Sequence, residues 1–189
     1  MEILSTNKIQ IVASALKNNK ALVMPTDTVW GIIALNEQII YRIKKRPTTK
    51  KIVRFINSFS QISHFPNYMK EVIKKYWPGQ LTIIFQQISY RIPNNPFILA
   101  LLKILSLVYC SSANITNQHP INSIDEISSV FSDNLNDIIA IKPVKTWKYS
   151  TTPSTIIDLD KMSVVRYGKI DGQKIINDIK MKEANNYEN

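Results

Sequence analysis

Cysteine is nearly missing from this chain: Cys110 is the only one. A single thiol excludes an internal disulfide and any cysteine-rich metal site. Its place in an apolar stretch reads as a small buried hydrophobe. Histidine is almost as scarce, with only His64 and His119 and no His-x-x-x-His pair, so a zinc site has no support. Glycine occurs four times, at positions 31, 79, 168 and 172. Neither a Gly-x-Gly-x-x-Gly fingerprint nor a phosphate-binding P-loop can be assembled from these. The Gly-x-Ser-x-Gly elbow of a serine nucleophile is missing too. Long apolar runs are absent: residues 98–110, the most apolar stretch, are broken by Lys103 and Ser106, and fall short of the roughly 20 residues needed to span a bilayer. The N-terminus lacks the basic, apolar and small-residue order of a signal peptide. The expected compartment is the cytoplasm, with no membrane contact. Acidic residues are in deficit, 14 Asp+Glu against 24 Lys+Arg, for a net charge of +10. That balance favours anionic partners (nucleic acid, nucleotides or an acidic membrane surface) without choosing among them. Lysines that merely solvate a surface, or a genome biased toward Ile, Asn and Lys codons, give the same count.

With 189 residues and 44% hydrophobic content, the expectation is one domain over residues 1–182 and a polar C-terminal tail over 183–189. Ile9, Val12, Ala13 and Leu16 recur at helical spacing, predicting a helix over about 7–18. Residues 21–24 form a short apolar strand that stops at Pro25-Thr26-Asp27-Thr28, before a second apolar run over 29–35. Asn36 is an N-cap for a helix carrying Ile39, Ile40 and Ile43 inward and ending at Lys44-Lys45-Arg46-Pro47. Further elements are a strand at 52–56, a helix through Met69, Val72, Ile73 and Tyr76, and a strand at 80–87. Arg91-Ile92-Pro93 suggests another short strand. A helix over 95–105 leads into a strand at 105–110. Ser123-Ile124-Asp125-Glu126 reads as a capping box, followed by a strand at 137–141. Residues 142–153 show no periodicity. A hairpin of 154–159 with 163–167 and a last helix through Ile175, Ile176 and Ile179 complete the chain. Strands and helices intermix without strict βαβ order. That predicts an α/β fold: a twisted, open, mixed parallel and antiparallel sheet with flanking helices.

Chemistry gathers where elements end. The strand at 105–110 runs into Ser111, Ser112 and Asn114, neutral donors and acceptors well placed to orient a polar ligand, or simply to form a turn. Lys44, Arg46, Lys50, Arg91 and Arg166 also stand near element ends, as do Thr28, Thr82 and Ser154. Cations plus neutral donors suit a polyphosphate with a polar appendage. No nucleophile or base stands out, which suits a reaction whose substrate supplies its own nucleophile while the protein positions it and neutralises charge.

The segments Pro25-Thr26-Asp27-Thr28-Val29-Trp30-Gly31, Lys44-Lys45-Arg46-Pro47, Trp77-Pro78-Gly79-Gln80-Leu81-Thr82, Arg91-Ile92-Pro93, Ser112-Ala113-Asn114, Pro153-Ser154-Thr155-Ile156-Ile157-Asp158 and Arg166-Tyr167-Gly168 occur in the order of the YrdC-like family. The chain resembles its single-domain, TsaC-like members over about residues 20–170. The resemblance implies a twisted sheet around a basic cleft and an L-threonylcarbamoyladenylate synthase. Such an enzyme joins L-threonine, bicarbonate and ATP, with magnesium, and releases pyrophosphate. Its product feeds a tRNA-modifying complex, and contact with that complex or with tRNA is a further expectation. The family's Lys-x-Arg and Ser-x-Asn set matches Lys44, Arg46, Ser112 and Asn114, which the resemblance casts as catalytic. It places Thr28, Thr82 and Ser112 near threonine or its carbamate, and Arg46, Lys50, Asn114, Ser154 and Arg166 near the nucleotide, with Ser154 able to serve either side. Lys44 and Arg46 would neutralise charge on the reacting phosphates. Ser112 and Asn114 would face one cleft as alternate residues of an extended chain, with Ser111 turned into the structure.

This chain departs from the family pattern at several points. Trp30 stands for a tyrosine, Lys51 and Gln80 for prolines, Phe55 for a histidine, Asn117 for a glycine and Tyr167 for a proline. The loop from Thr28 to Arg46 is short, and residues 142–152 lack a usual glycine pair. These changes fall on loops and on the threonine side; the intact Lys-x-Arg and Ser-x-Asn pairs argue against a dead homologue. Two other readings stay open: a non-catalytic RNA-binding, translation-associated module using the same basic cleft, and a synthase for a different carbamoyl adenylate.

Overall fold

Apolar alternation and helical periodicity resolve into ten strands and six helices in a computed structural model that describes residues 1–145, 147 and 149–187. The strands are β1 (Glu2–Leu4), β2 (Ala21–Pro25), β3 (Trp30–Ala34), β4 (Val53–Phe55), β5 (Leu81–Phe85), β6 (Ile88–Arg91), β7 (Val108–Ser112), β8 (Ile138–Ile141), β9 (Thr155–Asp158) and β10 (Ser163–Arg166). The helices are α1 (Ile9–Lys17), α2 (Glu37–Ile43), α3 (Asn67–Ile73), α4 (Pro96–Leu105), α5 (Glu126–Val130) and α6 (Gly172–Tyr187). All ten strands join one open sheet in the order β1-β8-β2-β3-β7-β4-β6-β5-β9-β10. It is mixed: β2 runs parallel to β8 but antiparallel to β3, and β5 runs parallel to β9 but antiparallel to β6.

Three apolar clusters fix where the helices sit. Val12 and Leu16 of α1 and Ile98 and Leu101 of α4 bury one sheet face with Leu22, Met24, Ile33 and Val108. Ile39, Ile40 and Ile43 of α2 and Ile127 of α5 cover the opposite face with Val23, Ile32 and Ala140. Farther along the sheet, α3 and α6 pack on Leu81, Ile83, Tyr90 and Ile157. Each fully buried aliphatic side chain contributes about 1.5–3 kcal/mol, so these stripes hold the layers together.

The period of two leaves the other face of β5, β6 and β9 without a helix. Thr82, Ile84, Ser89, Arg91 and Ile156 alternate with the core residues and point to that open face, where they line a cleft. Register carries the row onward, pairing Phe55 with Arg91, Thr82 with Ile156, Ile156 with Arg166, and Gly31 with Ser112.

Some boundaries differ from the sequence pattern. The strand expected at 105–110 begins at Val108, because α4 continues to Leu105 and Ser106 ends it with φ 64°. The single strand expected over 80–87 is β5 turning through Gln86 and Gln87, both at positive φ, into β6. The expected capping box is reshaped: α5 starts at Glu126, whose carboxylate accepts from Asn122 N (3.2 Å) and Ser123 Oγ (2.9 Å). The segment expected as a tail from 183 is helical as far as Tyr187; α6 is held against α3 by Tyr68 Oη donating to Glu183 (2.9 Å) and by a Lys182–Glu71 ion pair (2.6 Å).

Candidate active site

The open sheet face and the strand tips around it enclose a cavity of about 350 Å³. Among the described residues, four cations line it, Arg46, Lys51, Arg91 and Arg166, and no carboxylate does. Hydroxyls of Thr28, Thr82, Ser112 and Ser154 line it as well. The cavity is therefore electropositive and rich in neutral donors, a fit for phosphates and carboxylates.

The β2–β3 tip is rigid. Thr26 Oγ1 accepts from Thr28 N (3.0 Å) and donates to Val29 O (2.8 Å). That geometry points Asp27 into a buried ion pair: Arg91 Nη2 lies 2.6 Å from Asp27 Oδ1, with the two side chains 5% and 6% exposed. Asn94 N donates to Asp27 Oδ2 (3.0 Å), while Arg91 also donates to Gly79 O (2.9 Å) and Thr28 Oγ1 (3.1 Å) and lies over the Phe55 ring. Asp27 holds Arg91, and Arg91 in turn fixes Thr28. Gly31 is required beside this tip: a Cβ there would stand 2.8 Å from Thr26 Cγ2 and 3.0 Å from Cys110 Sγ.

Across the floor, the hydroxyls of Thr82 and Ser154 meet at 2.9 Å. Arg166 donates to Ser154 Oγ (3.0 Å) and to Ser154 O (2.9 Å). Burial, and then the charge of Arg91, lower the Arg166 pKa. Arg46, which also lines the cavity, donates to Lys50 O (2.9 Å) and Lys51 O (3.0 Å), shaping the strap 47–51. Burial lowers the Arg46 pKa as well. Lys51 Nζ reaches Gln87 O (2.8 Å), so the residue in place of a proline ties this strap to the β5–β6 turn.

Among the expected residues, Thr28, Arg46, Thr82, Ser112, Ser154 and Arg166 meet at the cavity. Three do not line it. Lys44 is 1% exposed; its Nζ donates to Ser112 O, Asn114 O (2.7 Å) and Asn114 Oδ1 (2.9 Å). The resemblance implies a place for Lys44 beside the reacting phosphates; in this structure its nitrogen is turned to protein oxygens and away from the cavity lining. Asn114 is buried beneath the floor with both ends of its amide occupied. Lys50 is exposed, 3.4 Å from Asn117 Oδ1, outside the cavity lining. Ser111, expected to turn inward, borders the cavity. Asp27 is not among the expected site residues, and Arg91 is expected only as one of the cations at element ends, although an acid at a strand tip and an arginine alternating with Tyr90 and Ile92 are visible signals. Trp30 is buried, and its indole N–H has no partner among the described residues.

Burial, with Arg46 adding repulsion, lowers Lys44 from 10.5 to about 7. Unfolded chains keep the lysine proton up to its ordinary pKa, so between the two values the unfolded state binds more protons and stability rises with pH. The stability of the wild type relative to Lys44→Met is expected to increase from about pH 7 to about pH 10. Urea denaturation across that range checks it, and a flat difference would refute it. Cys110 is pushed up to about 12 by burial, which keeps it a thiol and removes it as a nucleophile. The described residues contain no group of three His, Cys, Asp or Glu side chains able to hold a metal. Among the described residues lining the cavity, none is a carboxylate that could ligate magnesium. No helix of the described residues is long and apolar enough to cross a membrane.

The model of the Sua5/yciO/yrdC family, described as Telomere recombination, matches residues 14–168. An uncharacterised Mycoplasma pneumoniae protein is 30% identical over 88% of this chain but only 36% of its own length. The chain thus spans about a third of that relative. A provisionally named threonylcarbamoyl-AMP synthase of Methanocaldococcus jannaschii is 32% identical, with 88% of each chain covered. The structure of Pyrococcus abyssi Sua5 complexed with L-threonine superposes with a TM-score of 0.79 at 24% identity, over 95% of this chain and 61% of that one.

Proposed function

Because the chain belongs to the Sua5/YciO/YrdC family, we propose that it is an L-threonylcarbamoyladenylate synthase whose product serves threonylcarbamoyladenosine modification of tRNA. The observation that carries this reading is the cavity itself: among the described residues, four cations, several hydroxyls and no carboxylate line it. The name of the M. jannaschii relative and the threonine bound to P. abyssi Sua5 support it.

The chemistry asks little of the protein beyond placement. The threonine ammonium gives up a proton to solvent, the free amine adds to the carbon of bicarbonate, water leaves, and a carbamate forms. A carbamate oxygen attacks the α-phosphorus of ATP, the bond to the β-phosphate oxygen breaks, and pyrophosphate departs. Both nucleophiles come from substrates, so no serine, cysteine or histidine need be activated. Arg46 and Arg166, both lining the cavity, meet the phosphates and balance charge as the leaving group separates. Thr28, Thr82 and Ser112 take the threonine side, and Ser154, between Thr82 and Arg166, bridges the two. Arg91, its charge balanced by Asp27, fixes the Thr28 hydroxyl on that side.

The test is direct. Purified protein incubated with ATP, labelled bicarbonate and L-threonine in magnesium buffer is expected to release pyrophosphate only with threonine present and to form labelled threonylcarbamoyl-AMP. Pyrophosphate release indifferent to threonine would sink the reading; salt-dependent tRNA binding that ATP does not compete away would favour an RNA-binding module instead.

A further inference from the structure

The tip of β7 carries a hydrogen-bond polarity that the residue types alone do not reveal. Ser112 Oγ lies 2.6 Å from Asn114 Oδ1. The orientation of that amide is settled by its surroundings. Asn114 Nδ2 donates to Ile115 O and to Gln118 O, each at 2.8 Å, and Oδ1 receives Lys44 Nζ at 2.9 Å. A carbonyl oxygen cannot donate, so Ser112 gives its one hydroxyl proton to Asn114. The lone pairs of Ser112 Oγ remain, and Ser112 lines the cavity.

Lys44 locks this arrangement from below. Its nitrogen stands within hydrogen-bond reach of three acceptors: Ser112 O, Asn114 O and Asn114 Oδ1. Its own carbonyl accepts from Thr116 N and Thr116 Oγ1, both at 3.0 Å, closing the link between the end of α2 and the loop after β7. Lys44 is 1% and Asn114 7% exposed. Surrounded by three protein oxygens and without exposed surface, Lys44 is placed to hold the β7 tip.

We propose that Lys44 and Asn114 are positioning residues that hold the Ser112 hydroxyl as a hydrogen-bond acceptor toward the cavity, for an N–H group of the bound substrate. That substrate's identity rests on the synthase reading, in which the N–H belongs to the threonine amine and then to its carbamate. A hydroxyl accepting one amine proton directs the nitrogen lone pair elsewhere, toward the bicarbonate carbon. Neutral Ser112 and Asn114 add no competing charge among the cations of the cleft.

The experiment is a double-mutant cycle in the full chain, with separate KM values for threonine and ATP. Ser112→Ala and Lys44→Met are each expected to raise the threonine KM by about tenfold or more, the scale of one lost hydrogen bond, and to leave the ATP KM within about twofold. Ser112→Thr, which keeps a hydroxyl, is expected to retain most of the threonine affinity. Residues that act through one another are not additive, so Lys44→Met is expected to add nothing in a Ser112→Ala background. Multiplying losses, or a selective loss of ATP affinity in Lys44→Met, would overturn the proposal. The ligand-free protein gives an independent readout: Ser112→Ala is expected to shift the Asn114 side-chain amide signals in a nitrogen–proton NMR spectrum. If the wild type uses no threonine, the synthase reading fails, and this spectrum still judges the hydrogen bond. Unchanged Asn114 signals would refute it, including where Lys44→Met does not fold.

Discussion

Arg91→Met is expected to destabilise the fold by about 3–5 kcal/mol, the cost of leaving one partner of a buried ion pair without the other. The carboxylate of Asp27, 6% exposed, would keep only the Asn94 backbone N–H as its described partner. Gly79 O and Thr28 Oγ1 would lose donors as well, so the β2–β3 tip and the turn before β5 would loosen together. Asp27→Leu leaves the guanidinium buried with only neutral acceptors and is expected to cost a similar amount. The double variant Asp27→Leu/Arg91→Met removes both charges and is expected to recover much of the loss, since an apolar replacement of a buried pair is often neutral. Urea denaturation of the three variants checks this. Single variants costing less than about 1 kcal/mol would show that water reaches the pair. Because the same guanidinium lines the cavity, Arg91→Met is also expected to lose threonine affinity even at temperatures where it stays folded.

Local signals carried much of this structure and stopped where partners lie far apart in the chain. Asn36 and the stripe Ile39, Ile40 and Ile43 announce α2, and Asn36 Oδ1 does accept from Gln38 N (3.0 Å). The Pro25–Thr28 tip, the β9–β10 hairpin and the apolar faces of α1, α3 and α6 were equally legible, because helix and strand periods are local properties. The burial of Lys44 is less legible although a signal is present: it caps α2 four residues after Ile40, in line with the buried stripe. A lysine there is a buried cation in need of oxygen partners, and Ser112 and Asn114 supply them from some seventy positions away. The Asp27–Arg91 pair spans 64 positions in the same way. Strand register and sheet order decide such meetings, and no residue pattern within one element encodes them. Lys50 and Lys51 show the converse. Adjacent residues of the strap take different directions, and Lys51, the departure from the family pattern, is the one that lines the cavity.

Arg46→Ala is expected to lower turnover by about 10²–10³, the usual effect of removing one charged contact from a transition state. Its melting temperature should change little, because the side chain is only half-buried and lies at the cleft rim. Two functions meet in this guanidinium. It is one of four cations facing the cavity, and it grips Lys50 O and Lys51 O, holding the strap that carries Lys51. Arg46→Lys separates them. An ammonium keeps the charge but cannot bridge two carbonyls and still present a planar fork to a phosphate. If charge alone matters, Arg46→Lys recovers most of the rate. The two-carbonyl grip implies that it recovers little, with a raised ATP KM from a loosened strap. Pyrophosphate release at saturating and limiting ATP distinguishes these outcomes. Wild-type turnover in Arg46→Ala would remove this arginine from the reacting phosphates and leave Arg166, also lining the cavity and fixed on Ser154, as the cation that balances the leaving group.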